Sequence, residues 1–257
     1  MINKINFKIE SLNDMKTYPE DIYYIGNTSL LKNKKVSIVG TRKPISYTKN
    51  LTSTLSAKLS NANITVVSGA AMGVDAISHK AAINNTIAIA ANGLNIRYPS
   101  VNKNLIREIE EQGLILSTYP DNEKARAYTF IQRNELVVAL GDVLIITQAD
   151  LKSGSMRSAQ FAINMGKQIY VLPHRIEDSE GTNELLKKGQ AKAIYDIDEF
   201  ITQITGNENQ NLQTDEFLEY CKLNTSYDNA VQKYNQKVFE YELLGKITIE
   251  NGYIKVL

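Results

Sequence analysis

Short runs of β-branched and other apolar residues alternate with longer amphipathic stretches between residues 36 and 196. The runs are apolar on both faces, which is typical of parallel strands buried within a sheet. The stretches between them carry apolar residues at helical spacing, as in Leu51, Leu55 and Leu59. Strands alternating with helices predict an α/β fold with a doubly wound, mostly parallel sheet.

The predicted strands are residues 36–40, 64–67, 86–90, 113–117, 142–147 and 168–172, with 193–196 as a candidate seventh. The predicted helices are residues 48–59, a stretch from Val74, 105–111, 135–140 and 155–165. Residues 118–134 are polar and predict a long, flexible segment after the fourth strand. In such sheets, ligands bind outside the carboxyl ends of the strands, where the connecting loops meet.

Three regions lie outside this pattern. Residues 1–35 combine a short helical pattern with a turn-rich stretch, and predict a capping segment packed on a domain of residues 36–202. Residues 203–214 are polar and predict a linker. Residues 215–257 hold three helical patterns and two strands joined by an Asn251–Gly252 turn, a strong hairpin signal. Three helices and a hairpin predict a small winged-helix-like domain.

The composition is that of an ordinary globular protein, with 43% apolar and 22% charged residues. The amino terminus has no signal-peptide core, and no run approaches the ~20 apolar residues that span a membrane. One cysteine excludes an internal disulfide, and two histidines leave no metal cluster to be assembled from spacing. We therefore expect a soluble, cytoplasmic protein without metal or cofactor. Because the net charge is only +1, a polyanion would bind to a local patch.

Residues 63–83 predict a buried strand, a turn containing Gly69 and Gly73, and a helix from Val74. This order places the free N–H groups of a helix N-terminus beyond the end of a strand, where an anion can bind. Asp75 in the first turn is also favoured by the helix dipole. A purely structural helix start is therefore the alternative to an anion site.

The strand-end loops concentrate glycine, hydroxyl and cationic side chains. These residues are Gly40, Thr41, Arg42, Lys43, Ser68, Gly69, Gly73, Lys152, Ser153, Gly154 and Ser155. Cations beside helix N-termini suit phosphate groups. The segment after the fourth strand adds Arg126, Phe130, Arg133 and Asn134, and an aromatic ring among cations suits an unstacked base. For Phe130 the structural alternative is an anchor in the core.

Catalytic signatures do not stand out. The chain has neither G-x-G-x-x-G after a strand nor G-x-x-x-x-G-K-[ST], so no dinucleotide or triphosphate site is indicated. Asp75, Glu135 and Asp150 are interpreted as caps or ion-pair partners, and His79 and His174 as packing or surface residues. We expect a binding protein and not an enzyme.

Six stretches of the sequence, several of which include these loops, carry a resemblance to a known family. In chain order they are IVGTRKPISY, VVSGAAMGVDAISHKAAI, TIAIAANGLNIRYP, GLILSTYP, FIQRNELVVALGDVLIITQADLKSGSMRSAQFA and GTNELLKKGQA. Together they resemble the DNA-processing protein A family, also called DprA or Smf, over residues 18–200.

This resemblance implies an extended Rossmann-like domain that binds single-stranded DNA. It implies a homodimer without enzymatic activity, which protects incoming DNA during natural transformation and loads the RecA recombinase on it. Carried onto this sequence, it implies phosphates near Gly40, Arg42, Ser68, Gly69 and residues 153–155, and bases near Phe130 and Arg133.

The chain departs from the family pattern in ways that bear on the DNA path. Met72 stands where the glycine turn usually has an arginine, and Glu135 where an R-N-R triplet has its second arginine. Ser117-Thr118 replaces a serine–glutamate pair, and Pro173-His174 replaces Pro-Gly.

The C-terminal region resembles the winged-helix module often attached in this family. Residues 215–257 hold five lysines and seven acidic residues, a net charge of −2. A partner surface or a self-contact surface is therefore at least as well supported there as polyanion binding.

A Rossmann-like nucleotide-processing hydrolase is the alternative function. That group has a P-G-G-x-G-T-x-x-E turn whose glutamate acts on the sugar. The corresponding region here reads LKSGSMRSA and has no glutamate. Release of base from a panel of nucleotides would distinguish the two functions.

Overall fold

The computed structural model describes residues 2–206, 216–250 and 252–256. The chain divides into two compact units, Met1–Ile201 and Thr202–Leu257. This division falls close to the predicted end of the Rossmann-like domain at residue 202.

The first unit is built on a nine-stranded sheet. Its strands are β1 Asn3–Lys4, β2 Tyr23–Gly26, β3 Lys35–Val39, β4 Thr65–Gly69, β5 Thr86–Ile89, β6 Leu114–Ser117, β7 Val143–Ile146, β8 Ile169–Val171 and β9 Lys192–Ala193. Its helices are α1 Ser46–Asn61, α2 Val74–Ala81, α3 Lys103–Gln112, α4 Ala127–Leu140, α5 Gly154–Asn164 and α6 Glu180–Lys187, and α7 Ile197–Thr205 follows.

The strand order is β1-β2-β6-β5-β4-β3-β7-β8-β9. All pairs from β6 to β9 are parallel. The central strands β3, β4 and β5 are buried along their length, and their Val and Ile side chains contribute to both faces of the sheet. The predicted doubly wound, mostly parallel sheet is confirmed. The candidate seventh strand corresponds to β9, but β9 is Lys192–Ala193 and shares only Ala193 with the predicted residues 193–196.

The amino-terminal segment is more than the predicted cap. It supplies β1 and β2: β1 pairs antiparallel with β2, and β2 pairs antiparallel with β6. The segment also contains a 3₁₀ turn at Glu10–Asp14, where a short helical pattern was predicted. A boundary at residue 35 therefore cuts through the sheet. The two strands escaped prediction because they are only two and four residues long and are fixed by pairing, of β1 with β2 and of β2 with β6.

Helix α4 begins at Ala127, eight residues before its predicted start. Its first turn is closed by Thr129, whose Oγ1 accepts a hydrogen bond from the backbone N–H of Arg126. The prediction of a flexible segment through residue 134 is therefore wrong. The polar composition of the first helical turns concealed the helix from the sequence pattern.

The second unit holds α8 Glu216–Leu223, α9 Tyr227–Tyr234 and α10 Gln236–Leu243, followed by β10 Ile247–Glu250 and β11 Tyr253–Val256. The two strands form an antiparallel hairpin. Gly252 has φ 81°, as its place in the turn requires, while Asn251 lies outside the described residues. Three helices and a hairpin confirm the winged-helix-like prediction.

The predicted linker is only partly testable. Its first residues, up to Thr205, belong to α7, so that part of the prediction is wrong. Residues 207–214 lie outside the described residues. In the described part of the chain, no helix has the length and apolarity required to cross a membrane, and no cluster of metal-ligating side chains is found.

Candidate nucleic-acid interface

The strand order reverses at β3. The chain runs from β3 through β4, β5 and β6 in one direction, and then returns to β7 on the other side of β3. Loops that leave neighbouring strands in opposite directions open a crevice at their carboxyl ends, which is where doubly wound sheets bind ligands.

A cleft of about 470 Å³ occupies this position, and we call it the switch-point cleft. Among its lining residues are Gly40, Thr41, Arg42, Lys43, Gly69, Asp75, Arg133, Asn134, Gln148, Asp150, Ser153, Gly154 and Ser155. The structure thus brings together most of the side chains predicted for the site, although they come from four separate parts of the sequence.

Backbone hydrogen bonds fix the loop after β3. The backbone N–H of Thr41 donates to the carbonyl of Gln148 at 2.9 Å, and that of Val74 donates to the carbonyl of Thr41 at 3.2 Å. Arg42 and Lys43 stand exposed on this fixed loop. Their charges are therefore available to a ligand without reorganisation of the backbone.

The glycine turn before α2 packs closely against the loop after β3. Gly73 has φ 79°, and a Cβ there would overlap the carbonyl oxygen of Thr41. The first N–H of α2, from Val74, is already bonded to Thr41, and the Asp75 carboxylate accepts from Ala71 N at 3.3 Å. These contacts favour the structural alternative for this helix start over an anion site.

The start of α5 is more open. Ser153 caps the helix by accepting from Met156 N at 3.3 Å. Gly154 and Lys152 are exposed, while Ser155 is buried. A helix N-terminus with an adjacent lysine suits a phosphate group.

Ser68 does not reach the cleft. It lies within β4, is fully buried, and its hydroxyl donates to the carbonyl of Ile38 at 2.6 Å. This bond leaves the Ser68 hydroxyl unavailable to a phosphate, contrary to what the family resemblance implied. The strand continues two residues beyond its predicted end at residue 67, so that Gly69 and not Ser68 meets the cleft.

Arg133 lies beneath the cleft with only 5% of its side chain exposed. Its Nη1 donates to the carbonyl of Ile89 at 3.2 Å and lies 3.8 Å from the Asp75 carboxylate. Gly69 makes room for it, since a Cβ there would overlap Nη1. Arg133 was predicted to meet a base, but in this structure it mainly supports the floor of the site. The interpretation of Asp75 as an ion-pair partner is confirmed.

Burial dominates the electrostatics of this pair. It raises the pKa of Asp75 to about 6, although the nearby Arg133 and the N–H of Ala71 act in the opposite direction. Burial also lowers the pKa of Arg133, a shift that Asp75 opposes. Since an arginine keeps its proton in proteins, Arg133 remains a cation within the floor of the cleft.

Phe130 lines a small pocket next to the cleft, and we call this the Phe130 pocket. It is lined by Arg42, Ala70, Ala71, Met72, Ala91, Asn92, Tyr98, Pro99, Phe130 and Arg133. The Phe130 ring centroid lies 5.6 Å from the Arg42 guanidinium, 5.9 Å from that of Arg133 and 6.1 Å from the Tyr98 ring. Phe130 is half-buried at the site. This position favours a binding residue over a core anchor.

Another predicted residue, Arg126, is less central. Arg126 is exposed and lies 3.7 Å from Glu123, and it contributes to neither the cleft nor the Phe130 pocket. Tyr98 and Asn92 were not predicted for the site, although they line the pocket. Their position in the loop after β5, at the same edge of the sheet, was the available signal.

The two histidines have packing roles. His79 is fully buried between the carbonyl of Gly69 and the hydroxyl of Thr86, at 2.8 and 2.7 Å from its ring nitrogens. His174 is half-buried, and its Nε2 lies 2.7 Å from the carbonyl of Thr147. The interpretation of both as packing or surface residues is confirmed.

Comparison with known proteins decides the family. The sequence model of the DNA recombination-mediator protein A family matches residues 8–205, well over half of the chain. The chain belongs to this family.

Relatives in the family are similar at about the same level. The DNA processing protein DprA of Bacillus subtilis is 31% identical over 192 residues, which cover 72% of this chain and 64% of that protein. DprA of Streptococcus pneumoniae is 32% identical over 183 residues, covering 69% and 64%. Protein Smf of a Synechocystis species is 31% identical over 180 residues, covering 66% and 45%. The chain therefore matches less than two thirds of the length of each relative.

Two solved structures of the family share the fold. DNA processing protein A from Helicobacter pylori, for which a unique mode of binding single-stranded DNA is described, has a TM-score of 0.79 and 42% identity over 80% of this chain and 97% of that one. DprA from Streptococcus pneumoniae has a TM-score of 0.73 and 30% identity over 79% and 73%. The Rossmann-like sheet is thus a family property.

We expect Gly69→Ala to destabilise this family member. The added Cβ overlaps Arg133 Nη1 and crowds the Asp75 carboxylate, and overpacking of this kind costs about 1–3 kcal/mol. Denaturant unfolding would measure the loss. Gly154→Ala is the matched control, because its Cβ would meet only Asn134 Nδ2, at 3.7 Å. Equal stability of the two variants would contradict this account of the cleft floor.

We also expect His79 to reduce stability in acid. Burial lowers its pKa from 6.5 to about 4, so between these pH values the unfolded chain binds a proton that the folded protein does not. The unfolding free energy of the wild type should therefore fall relative to His79→Gln as the pH drops from 7 to 4. The expected change is on the order of 3 kcal/mol, since one pKa unit corresponds to about 1.4 kcal/mol.

Asp75 provides the internal control for this measurement. Its raised pKa makes its own contribution opposite in sign, but the residue is present in both proteins and cancels in the difference. A difference in unfolding free energy that stays constant with pH would show that His79 is not held neutral.

Proposed function

We propose that this chain binds single-stranded DNA along the carboxyl ends of β5, β4, β3 and β7. The observation that carries the proposal is the contact between Phe130 and Arg42, which places a stacking surface and an exposed cation 5.6 Å apart at the edge of the switch-point cleft. A base and its neighbouring phosphate need these two kinds of group at the same place.

The phosphates of the strand are bound by Arg42, Lys43, Lys152 and the start of α5 in this proposal. All three side chains are exposed, and α5 begins with the Ser153 cap. Ser68 and Arg133 do not contact DNA directly, because one is hydrogen-bonded within the sheet and the other is paired with Asp75. Their role is to hold the floor of the site.

The base stacks on Phe130. The ring is half-buried and is framed by Tyr98 and Arg42, so its orientation is constrained before DNA arrives. Stacking requires no particular base, since every base has a π face. A duplex offers no unstacked base to this pocket, and single strands are therefore preferred, without strong sequence preference.

The wider role follows from the family. We infer that the chain is a non-catalytic, cytoplasmic homodimer that protects incoming DNA during natural transformation and loads the RecA recombinase on it. Membership of the DNA recombination-mediator protein A family supports this role, as does the single-stranded DNA bound by the relative from Helicobacter pylori. The second unit, with its net charge of −2 over residues 215–257, is left outside the DNA site.

Two variants of the full chain separate the halves of the site. Arg42→Ala should weaken binding and reduce the slope of log affinity against log salt by about 0.7 for one lost phosphate contact, as expected for single strands. Phe130→Ala should cost about 1–3 kcal/mol of binding free energy with little change in slope, since stacking releases no counterions. Fluorescence anisotropy with a labelled oligothymidylate across a salt series measures both quantities.

The melting temperatures of the same variants serve as the control. If Phe130 is a core anchor, its truncation should instead lower stability by roughly 3–5 kcal/mol. A destabilised Phe130→Ala protein with unchanged affinity would remove the stacking role, and binding that is indifferent to salt would remove the phosphate site.

A further inference from the structure

Tyr47, in the first turn of α1, presents a rigid aromatic ring to solvent. The residue is 45% exposed. Its hydroxyl donates to the carbonyl of Pro173 at 3.0 Å, and its ring packs edge-on against His174, with centroids 5.3 Å apart and planes at 79°. His174 is itself bonded to the carbonyl of Thr147. The ring therefore keeps one orientation although much of it is uncovered.

The position of Tyr47 is opposite that of Phe130 across the switch point. Thr147 and Pro173 follow β7 and β8, whereas the Phe130 pocket is anchored at the end of β5 through the bond from Arg133 to Ile89. Strands β5 and β8 are separated by four steps in the sheet order. At about 4.8 Å for each step, the ends of these two strands are ~19 Å apart along the edge of the sheet, and we use this value as the approximate separation of the two rings.

The loop after β3 adds exposed cations. Arg42 and Lys43 follow β3, which lies between β5 and β8 in the sheet order, and Lys49 is exposed in α1. The exposed Asp150 also lines the switch-point cleft. No acidic residue occurs in the sequence between Asp21 and Asp75. Within the described part of the chain, Arg42, Lys43 and Lys49 form no ion pair. A fixed exposed ring beside unpaired cations is complementary to an aromatic polyanion.

We propose that Tyr47 is a second base-stacking platform for the same DNA strand. This inference rests on the proposed function. A strand with one base on Phe130 crosses Arg42 and Lys43 and places a later base on Tyr47. A stacked strand advances about 3.4 Å per nucleotide, so ~19 Å corresponds to five or six nucleotides, and to fewer if the strand is stretched. Three nucleotides are too short to engage both rings.

The test compares oligothymidylates of 3 and 16 nucleotides on the full chain at low salt. Tyr47→Ala should weaken binding of the 16-mer between about fivefold and 150-fold, with the salt slope nearly unchanged, because a stacking contact and no phosphate contact is lost. Binding of the 3-mer should depend on Phe130 instead. A thermal melt of Tyr47→Ala confirms that the variant is folded.

A site-specific probe provides the second measurement. The chain contains no tryptophan, so Tyr47→Trp introduces a single one whose fluorescence is quenched when a base stacks on it. The 16-mer should quench it and the 3-mer should not. Tyr253→Trp is the control, since Tyr253 is 61% exposed on the hairpin of the second unit.

The outcomes separate this inference from the proposed function. If Arg42→Ala and Phe130→Ala weaken binding but Tyr47→Ala does not, and Tyr47→Trp stays unquenched, then Tyr47 is no platform and the proposed function stands. If the wild type binds neither oligonucleotide, both fail. If Tyr47→Ala changes the molecular mass of the free protein in light scattering but not its DNA affinity, the ring is a contact between copies and the inference is wrong.

Discussion

The site depends on one buried ion pair. Asp75 from α2 and Arg133 from α4 meet over Gly69, at the ends of β4 and β5, and Arg133 is anchored further to the carbonyl of Ile89. Removing one partner of such a pair costs about 3–5 kcal/mol, because the other charge is left buried without compensation. The pair therefore ties two helices to the edge of the sheet where the loops of the site converge.

The cationic side chains of the site fall into two groups, one buried in the floor of the cleft and one exposed on loops. Arg133 is buried and paired, so its charge is used to hold the floor of the cleft, whereas Arg42, Lys43 and Lys152 are exposed on loops and remain available. Exposed cations confer salt-dependent, sequence-independent attraction for phosphates. In the function that we propose, the rings of Phe130 and Tyr47 add contacts that require unstacked bases. Although the net charge of the chain is only +1, this division leaves exposed cations concentrated at the edge of the sheet.

Phe130 illustrates why the site was only partly predictable. Its place among cations indicated base contact, and the ring does lie beside Arg42. The same composition, however, suggested a flexible segment where the chain forms α4, so that Phe130, Arg133 and Asn134 project from one helix. Phe130 and Arg133 are three residues apart, so they share one face of the helix, and their side chains stay 5.9 Å apart. Their roles differ because the Arg133 side chain reaches Asp75 and the carbonyl of Ile89 and is buried, whereas Phe130 stays half-buried beside Arg42.

Local features of the sequence determine the succession of strands and helices along the chain, the winged-helix-like tail and the chemistry of the strand-end loops. Apolar periodicity and glycine turns act within a few residues, and they specify these elements without distant partners. Tertiary structure alone decided the pairing of β2 with β6, the burial of Ser68 and Arg133, the approach of Tyr98 to Phe130, and the packing of Tyr47 on His174. These depend on which segments meet across the sheet, since a side chain is buried or exposed only by residues distant in sequence.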